Sequence, residues 1–290
     1  MKLWNKFKPY LLLAAAAAVI ILPRLPRLGF YTTADEPLYL KTSASFYHTV
    51  KNGNYEQSPK GFHPGVTALW AGYGGFEVGY PDLVDRPKAD IGDTGLIFTL
   101  LRKGTSVVEV LAYARLWMIL GQTAVLLAGL WLLVRLVGFP AAVMGYLLLS
   151  FDPFFFGHSR ILGVDGLMAN LMLAAALAAA NYWKQSQLRY AALAGVFTGL
   201  AALTKTPGLA MAGYFGGALA VIYLASVKRN RASFSLPGVW RQVLLPFGLF
   251  SAAALLVMYA LWPAMWYDPR QLWQLLVFSI ESIGGGHSTA

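Results

Sequence analysis

Long apolar runs constrain this chain more than any other feature. A stretch of roughly 17–25 largely apolar residues is what a helix needs to cross about 30 Å of hydrocarbon. Seven stretches qualify, at about 6–25, 112–134, 139–156, 165–183, 190–205, 208–227 and 241–262. Composition agrees: charged residues make up 12% of the chain, against about 25% in soluble domains. The expected fold is therefore an all-α integral membrane protein of about seven transmembrane helices. The third to sixth runs are separated by very short connections, which predicts antiparallel neighbours. Small residues at Ala174–Ala180 and at Gly213, Gly216 and Gly217 predict close backbone approach.

The net charge of +10 does not point to nucleic acid, because most cations sit in short loops between apolar runs. Lys2, Lys6, Lys8, Arg135, Lys184, Arg189, Lys228, Arg229, Arg231 and Arg241 fall on one side of the expected bilayer. The short connections of the other side hold only Arg160 and Lys205. The side richer in cations is cytoplasmic, which places the N-terminus inside. The first run reads as a retained anchor rather than a signal peptide, since Pro23-Arg24-Leu25-Pro26-Arg27 follows it in place of a small-residue cleavage site. With no cysteine, disulfides, thiol nucleophiles and thiolate metal sites are excluded.

All thirteen Asp and Glu residues then fall on the outer side. Nine of them lie in a long first extracytoplasmic loop, about 25–111. Acids contribute little to topology, so a polar working surface on the outer face is the simplest explanation. The whole of 1–290 reads as one membrane domain. Its last part, 263–290, begins like a further extracytoplasmic segment, with Asp268 as cap, Pro269 in the first turn and Leu272, Leu276 and Ile280 at helical spacing. It stops without closing a unit, as the front part of a longer protein would.

Four short elements carry possible chemistry. Thr33-Ala34-Asp35-Glu36 precedes a helix expected to run to about Val50; Thr33 and Glu36 fit a capping box, and Asp35 fits either a helix cap or a general base. His63-Pro64 follows among Tyr55, Phe62, Trp70, Tyr73 and Phe76, an interfacial belt or a sugar-stacking surface. The connection from Asp152 to Asp165 sets Asp152, His158, Arg160 and Asp165 among apolar residues, where ionisable groups mark function by default. Its bland alternative is an Arg160 ion pair with Asp152 or Asp165 that ties helix ends. Lys205, in Leu203-Thr204-Lys205-Thr206-Pro207-Gly208, and Arg115 either snorkel or face an anionic headgroup.

Taken in order, Asp35-Glu36, His63-Pro64, Ser159-Arg160 with Asp165, the Lys205 turn and Ala114-Arg115-Leu116 resemble the protein O-mannosyltransferase-like glycosyltransferases, family 39 of the GT-C membrane superfamily. The resemblance covers the N-terminal half of such enzymes. His63-Pro64-Gly65 departs from the His-Pro-Pro of the eukaryotic branch and suits a relative in a prokaryotic cell membrane. It implies amphipathic interfacial helices in the first outer loop. It also implies transfer of a sugar, with inversion, from a polyprenyl-phosphate donor to an acceptor hydroxyl at the outer face. Asp35 would act as base, with Glu36 orienting the acceptor or holding Asp35. Arg160 and Lys205 would stabilise the phosphate, His63 and Asp165 would line the pocket or fix Arg160, and Arg115 and His158 would also bind substrate. A divalent cation is possible, but no compact ligand set calls for one, so no cofactor is expected. Expected partners are the lipid bilayer, the donor lipid and a protein, lipid or glycan acceptor. The rival expectations are a transporter and a non-catalytic membrane subunit of an envelope-polysaccharide system.

Overall fold

The computed structural model describes residues 14–58, 65–82, 95–230 and 235–270, with 273 and 277. The described residues form helices and turns and no strand. Four helices are long and apolar enough to cross a membrane: Val107–Val137 (α5), Asp165–Gln185 (α8), Thr206–Arg229, whose α-helical part is Ala210–Asn230 (α10), and Leu236–Leu261 (α11). Three shorter apolar helices, Ala14–Arg24 (α1), Phe139–Phe151 (α6) and Leu188–Thr204 (α9), coincide with the other three runs. At 1.5 Å per residue, the 13 residues of α6 reach only about 20 Å. Outward-facing side chains on the long helices, such as Val221 and Leu256, are apolar and about two-thirds exposed, as lipid-facing positions require.

The chain divides into two compact units, one of Met1–Pro59 with Gly65–Leu167, the other of Lys60–Pro64 with Met168–Ala290. In the first unit, Glu36–Lys51 (α2), Val66–Gly79 (α3) and Gly95–Arg102 (α4) precede α5. α5 starts five residues earlier than its apolar run, because Ser106 and Glu109 close a reciprocal capping box at its N-terminus. Its 31 residues span about 46 Å, so its first turns extend past the hydrocarbon. α3 lies against those turns through its glycines. A Cβ on Gly75 would stand 2.7 Å from the Ala114 nitrogen, and one on Gly72 would stand 2.2 Å from Ser43 Oγ of α2.

Of the aromatics expected to form a belt or a stacking surface, Trp70, Tyr73 and Phe76 bind α2 to α3, and Phe62 lies outside the described residues. Phe46 meets Trp70 at 5.1 Å between centroids, and Tyr47 meets Tyr73 at 5.0 Å. Gly138, at φ 87°, ends α5 and begins α6 in a single residue, a conformation that glycine adopts without penalty. α6 breaks at Asp152-Pro153, where Pro153 cannot continue the ladder. The short helix Pro153–His158 (α7) follows, N-capped by Asp152, whose Oδ1 accepts from Phe155 N at 2.9 Å.

In the second unit the principal partner of α9 is α11. Gly195 and Gly199, four apart, share one face of α9, and Cβ atoms there would stand 2.1 Å from Phe250 O and 2.6 Å from Ala254 O. The seam is a small-xxx-small interface. Gly213 and Gly217 do not mediate close approach, since a Cβ at either meets nothing within 4 Å; at Gly216 it meets only the Phe247 ring, at 2.9 Å. Aromatic rings join the remaining helices: Tyr182 of α8 meets Phe215 of α10 at 5.8 Å, and Phe215 stacks on Phe250 of α11 at 4.7 Å. After α11 comes Pro263–Tyr267 (α12), which Asp268 closes as C-cap while its Oδ1 accepts from Arg270 N at 3.0 Å. The helix expected from Pro269 onward lies largely outside the described residues.

Candidate active site

The centre of the first unit is a buried ion pair. Glu36, the first residue of α2, is wholly buried, and Arg115 of α5 is 1% exposed. Arg115 donates from Nε to Glu36 Oε1 at 2.7 Å and from Nη2 to Oε2 at 2.5 Å. It also donates to the carbonyls of Leu28 and Tyr31. Glu36 accepts further from Thr33 N at 2.9 Å, Thr33 Oγ1 at 3.1 Å and Leu162 N at 2.9 Å. One carboxylate thus fastens α2, α5 and the segment that follows α7. Burial pushes the Glu36 carboxyl up, but the Arg115 fork and the Thr33 and Leu162 amides outweigh it and hold the group below its ordinary value.

This arrangement divides the Asp35-Glu36 pair. Consecutive helical residues point about 100° apart, so with Glu36 turned inward Asp35 is left exposed at the N-cap. Asp35 makes no side-chain capping hydrogen bond. The Thr33–Glu36 capping box is half formed: Glu36 accepts from Thr33 N, but the helix begins at Glu36 and not after Thr33. Glu36 itself is enclosed by these bonds and does not reach the surface. Arg115, expected to bind substrate, is turned inward by the same bonds.

A second cation is buried close by. Arg24, at the end of α1, is 0% exposed. It donates from Nε to Ser159 Oγ at 2.7 Å, from Nη1 to Ile20 O at 2.7 Å and from Nη2 to Ser150 O at 2.7 Å. Its guanidinium lies 4.8 Å from the Phe156 ring centre. Arg160 donates from Nε to Arg24 O at 2.9 Å and from Nη2 to Pro26 O. Backbone carbonyls and the Phe156 ring, at 5.6 Å, therefore orient Arg160. Asp152, the other acid of this connection, is the α7 cap. His158 engages Phe154 O through Nδ1 at 2.9 Å and lies 4.0 Å from the Phe154 ring.

Asp165, the first residue of α8, approaches Tyr39. Burial, then the Asp165 and Asp35 carboxylates, push the Tyr39 phenol up to about 12. Tyr39 is four residues beyond Asp35 on α2, one turn along the same face, and that spacing was the signal for it. Arg24 had no comparable signal, because its serine partners lie more than a hundred residues away. Asp35, Glu36, Arg115, His158, Arg160 and Asp165 all belong to the first unit. Lys205 belongs to the second, where it ends α9 in extended backbone, its N–H donating to Ala201 O at 2.9 Å. His63 lies outside the described residues. Among the described residues no group of three or more His, Cys, Asp or Glu could hold a metal ion.

Comparison with curated proteins and with solved structures gave no match. Residues 96–259, more than half of the chain, match the family described as dolichyl-phosphate-mannose-protein mannosyltransferase. That stretch carries Arg115, His158, Arg160, Asp165 and Lys205. It begins after Asp35 and Glu36, of which Glu36 is joined to it by the Arg115 fork. Helices that suit a membrane and a family match over most of its helical length lead to one assignment: the chain belongs to the dolichyl-phosphate-mannose-protein mannosyltransferase family of membrane glycosyltransferases.

Proposed function

We propose that the chain transfers a sugar from a polyprenyl-phosphate-linked donor to an acceptor hydroxyl at the extracytoplasmic face, with inversion and with Asp35 as general base. The observation that carries this reading is the contrast between two neighbours. Glu36 is locked by five hydrogen bonds, while Asp35 is exposed and makes no capping bond. A carboxylate held by its backbone but left open to solvent has the geometry a base requires.

In the reaction Asp35 takes the proton of the acceptor hydroxyl as that oxygen attacks the anomeric carbon. The bond from that carbon to the phosphate oxygen breaks, and its electron pair leaves with the polyprenyl phosphate. A phosphate leaving group needs charge stabilisation more than a proton, and Arg160 supplies a cation whose two engaged nitrogens fix its direction. Tyr39, which stays protonated, offers a hydrogen-bond donor beside Asp35 and Asp165.

Asp35→Asn tests the reading in membrane vesicles supplied with a radiolabelled polyprenyl-phosphate hexose. Loss of a general base lowers rates by about 10²–10⁴, so transfer falls at least about a hundredfold while the melting temperature stays at the wild-type value. Full transfer by Asp35→Asn would reduce Asp35 to a helix terminus.

A further inference from the structure

Two local irregularities of the second unit meet at one cavity. α11 contains a π-helical stretch, Trp240–Leu244, just ahead of Pro246. Pro246 lacks the N–H that a regular ladder would use there, and single π turns inside α-helices recur at functional sites. The stretch brings Arg241 and Gln242 to the wall of a cavity of about 450 Å³, within the range of small-molecule sites. Ser186, also in the wall, closes α8 at φ 53°, where a non-glycine residue is strained. Trp183 also lines the wall. Its ring meets Tyr214 at 5.6 Å between centroids.

The cavity offers two kinds of surface. Arg241 and Gln242 contribute N–H donors and are exposed, and the lining holds no acid. Leu219, Ile222 and Leu245 contribute an apolar wall. The cavity lies at the end of α8 opposite Asp165, where the helices also carry Lys184, Lys228 and Arg229. By loop charge that end is cytoplasmic. Basic pockets between membrane helices on that side take anionic lipid headgroups.

We infer that this cavity binds one anionic phospholipid of the cytoplasmic leaflet. Its phosphodiester accepts from Arg241 and Gln242, and an acyl chain runs along Leu219, Ile222 and Leu245. The apolar wall selects a lipid over a soluble phosphate ester, and the absence of an acid from the lining selects an anionic headgroup over a zwitterionic one. This site is separate from Asp35 and stands whatever the sugar chemistry proves to be.

The test is native mass spectrometry of the full chain in detergent, titrated with phosphatidylglycerol, phosphatidylcholine or glycerol phosphate. The wild type retains one phosphatidylglycerol in preference to phosphatidylcholine, and glycerol phosphate does not displace it. A basic residue near an anionic headgroup contributes about 1 kcal/mol, so Arg241→Gln weakens retention about fivefold. Gln242→Leu removes the second donor of the wall, and it also weakens retention with an unchanged melting temperature. Equal retention of the two lipids, displacement by glycerol phosphate, or wild-type retention by both variants overturns the inference.

Discussion

Arg115→Met takes a guanidinium from a site where Arg115 and Glu36 are 1% and 0% exposed, so solvent screening does not soften the loss. It leaves the Glu36 carboxylate buried with only the amide and hydroxyl of Thr33 and the Leu162 N–H as donors. Breaking a buried pair by removing one partner destabilises by about 3–5 kcal/mol, since the remaining charge is uncompensated. At roughly 2–4 °C per kcal/mol for a chain of this size class, the melting temperature falls on the order of 10 °C. Glu36→Gln retains an oxygen for Leu162 N but strands the Arg115 charge, and it falls comparably. The double variant buries no net charge, so it is more stable than the two single losses added together, by about 0.5–3 kcal/mol of coupling.

Acid supplies an independent arm of the same experiment. The folded Glu36 carboxyl sits below its ordinary value of 4.5. Its contribution is therefore fully present above about pH 4.5 and drains away as pH falls through the lower, folded value. Glu36→Gln lacks that acid-dependent component. Thermal unfolding in detergent at pH 7 and at pH 4, followed by tryptophan fluorescence, reads both effects. An Arg115→Met melting temperature within about 2 °C of wild type, or a double variant that falls by the full sum of the singles, would refute the buried-pair account.

Two contrasts test the packing. Gly195→Ala forces a methyl to 2.1 Å from Phe250 O and lowers stability by about 3 kcal/mol or more. Gly213→Ala, with nothing within 4 Å, leaves it unchanged or raises it by about 0.5–1 kcal/mol; equal effects in thermal unfolding would refute the α9–α11 seam. Asp152→Ala loses the α7 cap at about 1 kcal/mol, and Asp152→Asn, which keeps an accepting oxygen, loses less. If the two match, Asp152 is not a cap.

The helices were legible because an apolar run of membrane length leaves a chain few other structures. The early start of α5 was less so: Glu109, Tyr113 and Arg115 dilute its hydropathy, although Ser106 and Glu109 stand at capping-box spacing. Gly195 and Gly199 were hidden among residues as small and apolar as they are, and Gly213 and Gly217 drew notice by being more concentrated. Asp35 and Glu36 were legible as a pair, yet which of them faces inward depends on Arg115, 79 residues away. Arg24 depends on Ser150 and Ser159, still farther off, and no local pattern announces such a partner.

The glycine seam also bears on how the chain is made. Gly195 meets Phe250, a residue translated about 55 positions later, which at 5–20 residues per second is roughly 3–11 s. Throughout that interval α9 offers a bare, backbone-rich stripe to whatever helix inserts beside it. α10 arrives first, and its own glycines leave it without a matching contact to make. The vacancy reserves α9 for the later helix, so the order of insertion and the order of packing differ, and a variant that fills the stripe alters assembly before it alters the finished molecule.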